Sequence, residues 1–185
     1  MKNAFIIHGA WGTPEENWFP WLKKELENIG YTVTVPQFPT PEGQSLTNWL
    51  EVWNQYKDQC NEDTIIVGHS IGVAFILNIL ERLDHPIKAA YLVAGFIRGL
   101  NNDEVDEINA SFYDHPFDWD RIKQNCETFV CFNSDNDPYV PLWQGKEVSK
   151  NLGVEVTLVP NAGHFNKKAG YTEFKLLLEK IGNEK

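Results

Sequence analysis

The sequence predicts an α/β fold: a six-stranded parallel sheet with helices on both faces. Three observations carry this. Short apolar, β-branched runs recur through all 185 residues and end at turn residues. Helical stretches separate them. No repeat or low-complexity tract breaks the alternation. Buried strands of parallel sheets read as continuous apolar runs, and strand–helix alternation implies right-handed crossovers.

The first run, Ala4–Ile7, ends at His8-Gly9. Thr32–Val35 stops at Pro36, Thr64–Val67 at Gly68, Ala89–Ala94 at Gly95 and Val154–Val159 at Pro160. Thr128–Phe132 leads into Asn133-Ser134-Asp135-Asn136-Asp137-Pro138. Bounded runs of this length read as strands. Helices are predicted over Trp18–Ile29, ending at Gly30, and over Ser45–Gln59, with Ser45 as a candidate N-cap. Others are predicted over Ile71–Leu83, Asp118–Asn125, Leu142–Leu152 and Tyr171–Ile181. Phe96–Phe117 shows no clear period and reads as a long connection, usually a functional or mobile feature. Pro36–Pro41 is a second irregular loop. The length suits one domain, residues 1–185.

Sixteen basic against twenty-six acidic residues give a net charge of −10. That argues against nucleic-acid and anionic-membrane partners, whose binding needs basic residues. No run approaches the ~20 apolar residues of a membrane helix, and the start lacks a signal-peptide apolar region. Cys60, Cys126 and Cys131 form no C-x-x-C pair. They read as free thiols of a cytoplasmic protein rather than as disulfides or a metal site. No cofactor or metal is implied, and no feature identifies a protein partner.

Gly68-His69-Ser70-Ile71-Gly72 matches G-x-S-x-G between a predicted strand and a predicted helix. A sharp strand-to-helix turn lifts the serine hydroxyl above the sheet edge, beside the amides of a helix N-terminus. Serine needs a base held by a third group to become a nucleophile. In an all-parallel sheet the later strand exits share Ser70's edge, and they carry Asp137 and then His164. His164 is the candidate base and Asp137 its orienter. Asp135 is the rival acid. Asp137-Pro138-Tyr139-Val140-Pro141 resembles the D-x-x-V-P stretch that follows the acid in many α/β-hydrolases. In that superfamily one oxyanion-hole amide follows the nucleophile and another lies after an early strand. Here these are Ile71 and Ala10, with Trp11 as the alternative to Ala10. Trp11, Phe112, Tyr113, Phe117, Trp119 and Phe165 lie on loops expected to overhang Ser70 as an aromatic pocket. Trp18, Trp21, Trp49 and Trp53 have helical spacing and read as core. The overhanging loops show no Arg or Lys cluster apart from Arg98, which argues against a strongly anionic substrate.

Along its whole length the chain resembles a family. The shared features are His8-Gly9, Trp18-Phe19-Pro20-Trp21-Leu22, the Gly-His-Ser-x-Gly elbow, Ser111-Phe112-Tyr113 through Trp119, Ser134 to Asp137, and Gly163-His164. The family is that of the small serine hydrolases grouped with retinoblastoma-binding protein 9 and the bacterial YdeN-like proteins, within the α/β-hydrolase superfamily. The resemblance implies a compact α/β-hydrolase fold with strand order 2-1-3-4-5-6, no large cap domain, and a Ser70–Asp137–His164 triad. The expected activity is cleavage of a small ester, thioester or amide through an acyl-enzyme. The alternatives are a hydrolase-fold interaction module with little turnover, and an acyltransferase using the same triad.

Overall fold

A computed structural model describes residues 1–182. Six parallel strands form one sheet in the order β2-β1-β3-β4-β5-β6. They are β1 (Asn3–Ile7), β2 (Thr32–Thr34), β3 (Ile65–His69), β4 (Ile87–Val93), β5 (Cys126–Ser134) and β6 (Val156–Val159). One row runs across the sheet through Val33, Ala4, Ile65, Ala89 and Thr128. The helices are α1 (Phe19–Asn28), α2 (Leu46–Trp53), α3 (Ile71–Leu80), α4 (Asp103–Asn109), α5 (Trp119–Gln124), α6 (Leu142–Leu152) and α7 (Lys175–Gly182). This is the α/β-hydrolase fold.

Strand side chains alternate between two apolar layers, as the pleat requires. Ala4 and Ile6 of β1 join Trp18, Phe19, Leu22 and Leu26 of the α1 region and Leu177 and Ile181 of α7. Phe5 and Ile7 face Trp49 and Trp53 of α2 and the apolar side of α3. Both faces of β1, β3 and β4 are covered, which is why those strand sequences show no polar alternation. Every residue of α3 is buried, and all but Asn78 are apolar or glycine. Trp18, Trp49 and Trp53 are core residues, and Trp21 is partly buried.

Beyond shifts of one to three residues at the ends of other elements, the structure departs from the sequence expectation in three places. The helix from Ser45 stops at Trp53, and a separate 3₁₀ turn covers Lys57–Gln59. The last helix starts at Lys175 rather than Tyr171. The region read as a long connection contains α4 and a 3₁₀ turn over Ala110–Phe112. Asn102 caps α4 by accepting from the Val105 amide at 3.3 Å. Asp106 reaches back to accept from the Leu100 and Asn102 amides at 2.7 and 3.2 Å. Gln144 of α6 holds the preceding turn through Ile97 N and Arg98 O.

β1, β3, β5 and β6 all deliver their C-terminal ends to one sheet edge. The chain leaves β1 toward β2 on one side, while β3 lies on the other. Open α/β sheets bind ligands at such a reversal.

Candidate active site

Ser70 joins β3 to α3 with φ 58 and ψ −125. An L residue adopts this conformation at a cost of about 1–3 kcal/mol, so the surroundings must enforce it. The Ser70 amide donates to Val93 O at the end of β4 at 2.9 Å. Two glycines allow the necessary crowding. A Cβ on Gly72 would lie 2.8 Å from His8 O and 2.9 Å from Ile7 O. A Cβ on Gly9 would lie 2.9 Å from Ser70 Cβ and 3.5 Å from its Oγ. The β1 exit therefore rests directly against the serine.

His164 Nδ1 lies 2.7 Å from Asp137 Oδ2, and both side chains are largely buried. The other oxygen, Asp137 Oδ1, accepts from the Tyr139 and Val140 amides at 2.9 and 3.0 Å. A carboxylate acceptor at Nδ1 keeps the proton on that nitrogen and leaves Nε2 as the basic one. Asp135 does not contact His164. Its Oδ1 accepts from the Asn161 amide at 2.8 Å. Ser134 Oγ accepts from Ala162 N at 3.0 Å, and Asn136 Oδ1 accepts from Gly163 N at 2.8 Å. Residues 134–137 thus grip residues 161–164 one to one, and the last link is the Asp137–His164 pair.

Two further side chains fix the histidine backbone. His69 Nε2 donates to His164 O at 2.8 Å, and Trp18 Nε1 donates to Phe165 O at 2.8 Å. A carbonyl only accepts, so His69 carries its proton on Nε2. Burial, reinforced by the neighbouring His164, lowers the His69 pKa to about 3, so it stays neutral. His8 is also held neutral: burial lowers its pKa, outweighing its bond to Gly9 O. Its Nε2 accepts from the Phe38 amide at 3.0 Å, and its Nδ1 donates to Gly9 O at 2.7 Å. Neither of these histidines reaches Asp137, and His164 alone of the three does. Ser70 Oγ and the His164 ring line the same cleft without a hydrogen bond between them among the described residues. Contacts of this kind commonly tighten only when substrate is bound.

The amides of Ile71 and Ala10 find no acceptor among the described residues, and Ala10 lines the cleft beside Ser70. The Trp11 amide is already committed to Thr40 Oγ1 at 2.6 Å. Of the two candidate donors from the β1 exit, Ala10 is the one left unengaged. Cys60 and Cys131 are no rival nucleophiles, because burial pushes both thiols up to about 12. No cluster of three metal-ligating side chains occurs among the described residues, and no helix there is long and apolar enough to cross a membrane.

A family model described as serine hydrolase matches residues 4–182. The chain belongs to the serine hydrolase family. It is 29% identical to the YdeN protein of Bacillus subtilis over 181 residues, covering 96% of this chain and 93% of that one. It is likewise 29% identical to the serine hydrolase RBBP9 of Rattus norvegicus, covering 96% and 92%. The crystal structure of the Bacillus subtilis ydeN gene product overlays with a TM-score of 0.93 at 27% identity, covering 100% of this chain and 98% of that chain. Est1E of Butyrivibrio proteoclasticus, solved with ferulic acid bound, overlays with a TM-score of 0.73 at 16% identity, covering 99% and 90%. At that identity the likeness is one of fold.

In this serine hydrolase the cleft over Ser70 measures about 890 Å³. Of the six aromatic residues expected to line it, Trp11 does so and the other five do not. Phe112 is fully buried beneath α4, against Trp49 and Phe75. Tyr113 packs on Phe96. Phe117 and Trp119 pack on each other, with His115 beside Phe117. Phe165 has φ 49, which turns its ring into the core with Tyr171 and Phe174. The apolar wall comes instead from Phe96, Leu100, Val105 and Val140. The charge expectation also changes. Arg98 pairs with Glu147 through its Nε at 2.8 Å, while Lys167 and Lys168 line the cleft together with Glu16. The lysines follow the last strand on a 3₁₀ turn capped by Asn166, a position the sequence reading did not single out.

Proposed function

We propose that this protein cleaves a small carboxylic ester, thioester or amide through an acyl-enzyme on Ser70. The observation that carries the proposal is the 2.7 Å Asp137–His164 pair, whose histidine shares a cleft with a serine held at a positive-φ elbow. His164 Nε2 takes the Ser70 proton as Oγ attacks the acyl carbon. The carbonyl π pair moves onto oxygen, and the Ile71 and Ala10 amides stabilise that oxyanion. One such donor is typically worth ~2.7–4 kcal/mol. Collapse of the intermediate expels the alcohol, thiol or amine, which takes the proton from His164. Water then attacks the acyl-serine by the same route, releasing the acid and restoring Ser70. Asp137 stabilises the imidazolium throughout. The cleft volume suits a small molecule. Three buried cysteines outside any disulfide suit a reducing cytoplasm, where we place the protein.

The test is labelling with a fluorophosphonate probe and peptide mapping of the adduct, alongside Ser70→Ala, His164→Ala, Asp137→Ala and Asp135→Ala. The reading expects an adduct on Ser70 that needs His164 and Asp137 and tolerates loss of Asp135. A folded wild type that does not label would favour an interaction protein on a hydrolase fold. Product analysis with added alcohols or thiols separates hydrolysis from acyl transfer.

A further inference from the structure

A continuous hydrogen-bond relay joins the β1-exit loop to the helix that roofs the cleft. The Trp11 amide donates to Thr40 Oγ1 at 2.6 Å, and Thr40 Oγ1 donates to Gln44 Oε1 at 2.5 Å. Gln44 Nε2 donates to Asn109 Oδ1 at 2.7 Å, and Asn109 Nδ2 donates to Val105 O at 2.8 Å. The backbone at the two ends dictates the direction of every link. A main-chain N–H can only donate to Thr40, and a main-chain carbonyl can only accept from Asn109. Both side-chain amides between them therefore take one orientation.

The two ends of the relay are the two sides of the cleft. Ala10 and Trp11 line it from the β1 exit, and Val105 and Asn109 line it from α4. Trp11 has φ 55, a backbone state that an L residue holds only when its surroundings enforce it. The recorded bond on its amide is the one to Thr40. Gln44 and Asn109 are buried, where a half-made network costs more than an apolar contact. The far end is anchored independently, because Leu46 N donates to Ser111 Oγ at 2.9 Å and Asn78 Nδ2 to Phe112 O at 2.9 Å.

We propose that Thr40 and Gln44 are positioning residues that set the Ala10–Trp11 peptide against the placement of α4, so that the cleft roof and the oxyanion-binding loop are fixed together. This rests on the acyl-enzyme reading above. Neither residue needs to touch substrate. Their effect is on the Ala10 amide, which is one residue away from the held peptide.

The test has two arms. The first measures steady-state hydrolysis of a neutral activated ester by Thr40→Val, Gln44→Ala and Thr40→Ser. Removing an oxyanion donor outright costs about 10²–10³ in kcat, so displacing one should cost roughly ten- to a hundredfold. Thr40→Val and Gln44→Ala should show that fall in kcat with KM within about twofold, and Thr40→Ser should restore the rate. The second arm follows hydrogen exchange at the Trp11 amide, with no chemistry involved. Asn109→Ala, which is two side chains removed from that amide, should speed its exchange while distant core amides stay protected. Unchanged kcat in folded Thr40→Val and Gln44→Ala would overturn the proposal. So would a Trp11 amide indifferent to Asn109→Ala. If wild type neither labels nor turns over, the acyl-enzyme reading has failed, and the exchange arm alone decides whether the relay exists.

Discussion

Asp137→Asn is the substitution that most directly tests the catalytic assignment. The native carboxylate accepts three hydrogen bonds: two on Oδ1 from Tyr139 N and Val140 N, and one on Oδ2 from His164 Nδ1. Asparagine can keep the first two by placing its carbonyl oxygen where Oδ1 stands. Its NH₂ then occupies the place of Oδ2, 2.7 Å from the imidazole. A donor there turns His164 Nδ1 into an acceptor and sends the ring proton to Nε2, the nitrogen that accepts the serine proton in the proposed mechanism. The fold has little to lose, but the base is in the wrong tautomer. Tautomer inversion of this kind lowers kcat by about 10⁴, or about 5 kcal/mol of transition-state stabilisation. The assay is kcat on an activated ester, with the fluorophosphonate labelling rate at Ser70 as a second reading. Asp135→Asn is the control, since its carbonyl oxygen can still accept from the Asn161 amide, and its rate should stay within about threefold of wild type. A fall of less than tenfold in folded Asp137→Asn would refute the assignment of Asp137 as the orienting acid.

Further outcomes follow from other parts of the structure. Gly9→Ala should lower kcat by at least tenfold and cost about 1–3 kcal/mol in urea unfolding, because its Cβ would sit 2.9 Å from Ser70 Cβ. His69 and His8 should make the protein acid-sensitive. Their folded pKa values lie below the ordinary 6.5, so the unfolded chain binds protons that the folded chain refuses, and stability falls as pH drops below about 6.5, for His69 down to about 3. Each histidine contributes a slope of up to ~1.4 kcal/mol per pH unit, and His69→Gln should flatten the dependence measured by urea unfolding at a series of pH values. Changing Lys167 and Lys168 together to alanine should lower kcat/KM for a carboxylate-bearing ester two- to tenfold relative to its neutral methyl-ester counterpart. The difference should shrink in 0.5 M salt, since exposed charges are screened.

The sheet was readable because its central strands are buried on both faces, so apolar runs such as Ile65–Val67 and Ala89–Val93 announce themselves without any periodicity. The site geometry was partly readable for the same reason: parallel strands bring Ser70, Asp137 and His164 to one edge. α4 was not readable. It has seven residues, four of them acidic, and it is held by the Asn102 cap and the Asp106 turn rather than by an apolar stripe. The aromatic residues were misassigned because loop membership says nothing about side-chain direction. A single positive φ at Phe165 reverses its ring, and Phe112 is claimed by Trp49 and Phe75 from the helix layer below. The relay through Gln44 left no sequence signal either, since two of its four links span 29 and 65 positions and its two ends are backbone groups.

The paired loops that place His164 behave like a zip fastener with four teeth. Ser134, Asp135, Asn136 and Asp137 each engage one of the residues from Asn161 to His164. Such a fastener counts residues. Lengthening either run by one, inside the engaged stretch, would leave the teeth beyond the insertion opposite the wrong neighbours and carry the imidazole away from Asp137. Lengthening the chain outside it, at Pro160 or between Val140 and α6, would leave the count intact and keep the Tyr139 and Val140 amides on Asp137. Tolerance to insertion at this end of the molecule is therefore set by the position of the engaged stretch, although all of its residues but Ser134 lie outside helices and strands.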